Sequence, residues 1–121
     1  MAIGAKRLVV GAHYGLRDWL AQRLTAIILA IYLVCLVVYV AALRTHGPVG
    51  YEEWAGIFVP VWMKVFTLIA IFALLYHAWI GMRDVWMDYI RPTGTRLALL
   101  VLTILWLFFC AIWSVQILWS V

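Results

Sequence analysis

The sequence predicts an all-α membrane protein with three transmembrane helices, its amino terminus cytoplasmic and its carboxyl terminus periplasmic. Three observations predict it: an overwhelmingly apolar composition, three stretches of bilayer length with almost no charge, and basic residues gathered in alternate connecting segments. Of the 121 residues, 69% are apolar or aromatic and 12% are charged. A soluble fold of this size would leave several helices' worth of Leu, Ile, Val and Trp facing water, whereas a bilayer accepts that surface. The chain reads as a single membrane domain over residues 1–121.

The first span, about residues 24–43, lies between Arg23 and Arg44 and holds no charge. Roughly 20 residues at a 1.5 Å rise cross a hydrocarbon core of about 30 Å. A polar interval with His46, Gly47, Pro48, Gly50, Glu52 and Glu53 ends it, and a short interfacial helix is expected around Tyr51 to Phe58. The second span, about 61–82, has Lys64 near its start, where a long side chain extends its ammonium to the interface. Arg83 to Arg96 is polar again and holds Pro92 and Gly94. The third span, about 97–119, opens a run without charge that reaches Val121.

Orientation follows from the basic residues. Lys6, Arg7, Arg17 and Arg23 precede the first span, and Arg83, Arg91 and Arg96 fill the second connection, whereas the first connection has Arg44 and, counted generously, Lys64. The positive-inside rule puts the amino terminus and second connection in the cytoplasm. Trp54, Trp62, Trp86, Trp113 and Trp119 fall near span ends, as interfacial anchors do.

Several function classes are excluded. The net charge of +4 reflects topology, since no basic stripe with interleaved aromatics offers a nucleic-acid groove. Cys35 and Cys110 sit in apolar runs without metal-ligand spacing. His13, Arg17 and Asp18 interrupt the first apolar stretch, so it is no signal peptide, and no Ser/Arg-rich leader is present; a bacterial cell inner membrane is the expected location. Neither GxSxG nor a phosphate loop occurs.

An ionisable side chain within a span is costly enough to mark function, and His77 is the clear case. On a helix, Ala70, Ala73, His77 and Gly81 project within about 40° of one direction. Such a small-residue stripe admits either another helix or a flat macrocycle whose iron takes the imidazole nitrogen. From the residues alone both readings stand, as does a histidine that hydrogen-bonds across a helix pair. A six-coordinate haem needs its second axial ligand from a partner, because His13 and His46 lie outside the spans. If the helix continues past Met82, Asp84 and Asp88 share the His77 face, about 10 and 16 Å further along. Tyr89 beside a carboxylate at an apolar boundary suits a carbonyl head group such as a quinone's, or is an interfacial tyrosine among solvated charges. Arg17, Asp18 and Arg23 stand at the mouth of the first span, where arginine satisfies topology or pairs with anions such as haem propionates.

The stretch His77-Ala-Trp-Ile-Gly-Met-Arg-Asp-Val-Trp-Met-Asp-Tyr-Ile-Arg-Pro92 resembles the hydrophobic membrane anchor of succinate dehydrogenase, the small cytochrome b subunit of respiratory complex II. The family pattern is His, Gly four later, then Asp-Tyr; Lys64-Val-Phe-Thr-Leu and Arg23-Leu-Thr-Ala-Ile also look like that family, and the resemblance covers nearly the whole chain. It implies that His77 is an axial ligand of haem b shared with the larger cytochrome b subunit. It further implies that Tyr89 hydrogen-bonds a ubiquinone carbonyl, that Asp88 arranges that site and that Arg23 lies near a haem propionate. Arg17 stands where some members have a histidine before the aspartate, and the resemblance implies that an arginine there could serve the same anion. Arg83 and Asp84 take no role from the family. The implied partners are a flavoprotein subunit that oxidises succinate, an iron-sulfur subunit, the larger cytochrome subunit and the lipid bilayer. The chain itself carries no succinate-oxidising site. The competing readings are an anchor of a fumarate reductase-type complex and a non-enzymatic small membrane protein in which His77 only packs.

Overall fold

A computed structural model describes the backbone of residues 12–121 and the side chains from Gly15 onward; Lys6, Arg7 and the side chain of His13 lie outside the described residues. Four helices follow in order: α1 Ala12–Arg44, α2 Tyr51–Gly56, α3 Val61–Tyr89 and α4 Thr93–Ser120. Three of them are long and apolar enough to cross a membrane. The short α2 falls where a helix is expected and is somewhat shorter than Tyr51 to Phe58. It is opened by the Gly50 amide, which donates to Glu53 Oε2 at 2.8 Å.

The helices outrun the charge-free lengths. α3 has 29 residues, about 43 Å at the helical rise, so it continues through Arg83, Asp84 and Asp88, where the sequence reading placed a polar connection. Charged residues in the interfacial turns of a helix do not break it, because their backbone still bonds i to i−4. Proline does break it. Pro92 disfavours the α region for Arg91 just before it, Ile90 is already extended at φ −102° and ψ 111°, and α4 starts immediately after. At the far end, Gly47 adopts φ 149°, which a side chain would resist, and there the chain leaves α1.

α3 is the middle helix, packed against α1 on one side and α4 on the other. The buried apolar residues are few: Ile57, Met63, Ala70, Ala73, Ile80 and Leu118. Leu, Ile, Val and aromatic side chains instead cover the outside, as a lipid-facing surface requires. The small-residue stripe is occupied by α1: Ala70 and Ala73 are buried, between Thr67 and His77, which both bond to α1. The α1 contacts descend α3 as they climb α1, from Asp18 with Arg83, through Thr25 with His77, to Tyr32 with Thr67 at 2.9 Å, as antiparallel neighbours must.

α4 is tied by Trp86 Nε1, which donates to Thr103 Oγ1 at 2.9 Å, and by Lys64 Nζ, which donates to the Val121 carbonyl at 3.1 Å and sits 5.8 Å from the Trp119 ring. Lys64 therefore marks a helix end, as expected. Of the five expected anchor tryptophans, Trp54, Trp62, Trp113 and Trp119 stay exposed, while Trp86 turns inward to its threonine.

Candidate functional site

His77 sits well inside α3, half-buried, with Nδ1 3.0 Å from Thr25 Oγ1 of α1. The direction of this bond can be deduced. Thr25 Oγ1 also lies 2.7 Å from the Ala21 carbonyl and 3.2 Å from the Gln22 carbonyl, groups that only accept. The hydroxyl has one proton, and a 2.7 Å contact between two oxygens without it would be repulsive. The proton therefore goes to Ala21, so His77 Nδ1–H donates to Thr25. In the neutral ring that leaves a lone pair on Nε2, which makes no hydrogen bond among the described residues. Bonding across a helix pair and ligation had stood as alternatives in the sequence; each uses a different ring nitrogen, and the two are compatible.

One turn towards the Arg83 end, Gln22 of α1 lies over Gly81, where an added Cβ would be 3.9 Å from Gln22 Nε2. Gln22 Oε1 is buried without a hydrogen-bond partner among the described residues. It lines a recess of about 370 Å³ with Gly15, Asp18, Trp19, Arg23, Ile80 and Asp84. Arg23 stacks its guanidinium 5.5 Å from the Trp19 ring centroid at the exposed edge of this recess. His77, the orphaned amide oxygen of Gln22 and the guanidinium of Arg23 lie on adjacent turns of two helices, the latter two lining the recess and His77 standing beside it. Among the described residues no three His, Cys, Asp or Glu side chains gather to hold a bare metal ion. The chemistry of this donor set fits a macrocyclic cofactor with acidic substituents, which His77 could ligate and Arg23 could face.

Arg17 stands apart from Arg23. It lines a second recess, with Asp18, Tyr76, Arg83, Asp84 and Met87, of about 610 Å³. Within it Arg83 donates to Asp18 and approaches Asp84 at 3.6 Å. This interhelical ion group was not visible in the sequence, where Arg83 and Asp84 had no role. Asp84 borders both recesses and is largely solvent-facing.

Because α3 continues, Asp88 does fall on the His77 side of the helix, three turns further on. Asp88 and Tyr89 are both exposed, Tyr89 to 79%, at the last turn of α3. Neither bonds to another described side chain, so a site there must be closed by other surfaces.

Fold and site together define a three-span membrane protein whose middle helix presents a ligand-competent histidine and, beyond the apolar stretch, an acid and a phenol. Residues 2–115 match the family described as succinate dehydrogenase/fumarate reductase transmembrane subunit. A relative in Coxiella burnetii, the succinate dehydrogenase hydrophobic membrane anchor subunit, is 43% identical over 105 residues, covering 87% of this chain and 89% of that protein. The chain belongs to the succinate dehydrogenase/fumarate reductase transmembrane subunit family.

Proposed function

We propose that this chain is a membrane-anchor subunit of a succinate:quinone oxidoreductase, supplying one axial ligand of haem b and part of a ubiquinone site. The observation that carries the reading is the 3.0 Å contact of His77 Nδ1 with Thr25 Oγ1 in a chain of this family: the histidine of the middle span has Nδ1 engaged, and Nε2 makes no hydrogen bond among the described residues. His77 Nε2 would bind the iron, and Arg23, with Arg17 as a more distant cation, would neutralise the propionates. Haem b, when bound, supplies a one-electron carrier within the bilayer.

At the other part of the site, reduction of a quinone to quinol takes up two electrons and two protons. Tyr89 donates its phenolic proton in a hydrogen bond to a quinone carbonyl, where negative charge develops, and Asp88 beside it arranges that donor and stands near the incoming protons. Their exposure fits a site completed by other subunits. A flavoprotein subunit oxidises succinate to fumarate, an iron-sulfur subunit relays the electrons, and a larger cytochrome subunit gives the second haem ligand. This chain is the non-catalytic anchor. The basic segments support a topology with the Arg83 end of α3 on the cytoplasmic side of a bacterial inner membrane, the side from which a soluble arm would reach the quinone.

A reduced-minus-oxidised spectrum of the detergent-solubilised complex tests this. The wild type shows a b-type signal that His77→Ala loses; a wild type without that signal removes the cofactor reading. The family also includes fumarate reductases, so the direction of turnover is a second question. Faster succinate oxidation than fumarate reduction by the purified complex decides it for the dehydrogenase.

A further inference from the structure

We infer that Thr25 is the positioning residue of the haem site: its hydroxyl fixes the His77 tautomer and ring orientation and lowers the reduction potential of the bound haem. The inference rests on the proposed ligation by His77. It deepens that reading by naming the group that makes the imidazole a ligand.

Thr25 is buried, 8% exposed, so no water competes for its hydroxyl. Its bonds form a chain, His77 Nδ1–H to Thr25 Oγ1 at 3.0 Å and Thr25 Oγ1–H to the Ala21 carbonyl at 2.7 Å. Each bond in such a chain polarises the next, so a helix carbonyl of α1 draws on the Nδ1 proton through the hydroxyl. Three consequences follow. The neutral ring is held with its proton on Nδ1, since the other tautomer would leave Nδ1 facing a hydroxyl whose proton is already committed. The ring plane is fixed relative to α1, the helix that carries Gln22 and Arg23, so the ligand on α3 is held in register with the anion-facing groups on α1. Finally, partial withdrawal of the Nδ1 proton makes Nε2 a stronger donor. A stronger donor favours ferric over ferrous iron and lowers the potential.

A threonine in an apolar helix ordinarily satisfies itself on its own i−4 carbonyl, and Thr25 does that. What is particular is that its second valence points at the histidine of the middle span.

The test uses the assembled, detergent-solubilised complex carrying wild type, Thr25→Val or Thr25→Ser, read by haem-to-protein ratio and by potentiometric titration of the haem. Thr25→Val keeps the shape and removes the acceptor. It is expected to retain haem about tenfold or more weakly, with the remaining haem titrating at a higher potential than wild type. Thr25→Ser restores both towards wild type. A helix-packing role alone would leave the potential of the bound fraction unmoved. If Thr25→Val fails to assemble, Thr25→Cys takes its place, since a thiol of similar size is a poor acceptor. Unchanged potential in Val or Cys, with haem present in the wild type, overturns the inference and leaves the proposed function standing. Absence of haem from the wild type overturns both.

Discussion

Arg83 of α3 donates to the carboxylate of Asp18 on α1, joining helices whose partners are 65 residues apart in sequence. The two side chains are 30% and 28% exposed, and Asp84 approaches the same guanidinium at 3.6 Å. A part-buried pair is costly to break from one side only, because a charge is left without its partner. Arg83→Met strands two carboxylates, whereas Asp18→Asn leaves Arg83 with Asp84. The arginine variant is therefore expected to lower the apparent Tm of the complex more than the aspartate variant. A double-mutant cycle between Asp18→Asn and Arg83→Gln is expected to give a coupling of about 1 kcal/mol or more; additive effects would mean that the pair contributes nothing to holding α1 on α3.

The spans were legible in the sequence because a bilayer demands about 20 residues without charge, and few other contexts produce that. Where the helices end was less legible. Arg17, Asp18 and Arg23 lie inside α1, and Arg83 to Tyr89 inside α3, since polarity marks the membrane boundary but only Pro92 marks a backbone break. His77 stood out because ionisable groups in spans are rare. Thr25 did not, because a lone threonine in an apolar run satisfies itself locally, and its pairing with His77 depends on the register of two helices 52 residues apart. The Asp18 and Arg83 pair was hidden for the same reason. Asp88 and Tyr89 were read from helix spacing and phenol–carboxylate chemistry as well as from the family pattern, and the fold adds the continued helix that carries them and their exposed place on its last turn.

Tyr89 is 79% exposed and bonded to no described side chain, so its phenol is free to serve a ligand. Tyr89→Phe removes one hydrogen bond and almost no volume. Quinone reductase activity is expected to fall about three- to tenfold, in line with one hydrogen bond of roughly 0.5–1.5 kcal/mol, while succinate oxidation by a soluble dye is kept. Equal loss of both activities would place Tyr89 in assembly instead of the quinone site.

Trp86 Nε1 donates to Thr103 Oγ1, whose own proton goes to the Leu99 carbonyl at 2.8 Å. Thr103→Val leaves the indole N–H without its acceptor between α3 and α4. A loss of about 1 kcal/mol is expected, seen as a lower apparent Tm in thermal unfolding. The haem spectrum should not change, because His77 is held from the α1 side. A shifted spectrum would mean that α4 reaches the haem site through α3.

Gly81 separates two demands that its sequence pattern leaves joined. It lies one turn from His77, and either the approach of α1 or the approach of a macrocycle could require it to be small. A Cβ built there would stand 3.9 Å from Gln22 Nε2, an ordinary contact with the end of a flexible side chain. Gly81→Ala is thus compatible with the packing of α1, and alanine in a helix interior is favoured over glycine by about 1 kcal/mol. The apparent Tm of the complex is expected to hold or rise. On the proposed ligation, the haem-to-protein ratio is expected to fall if the ring held by His77 would lie against the adjacent turn, where the new methyl stands. Thermal unfolding and haem quantification on the same preparation separate the two effects. A drop in Tm would assign the glycine to the α1 contact, and an unchanged haem content would place the macrocycle away from Gly81.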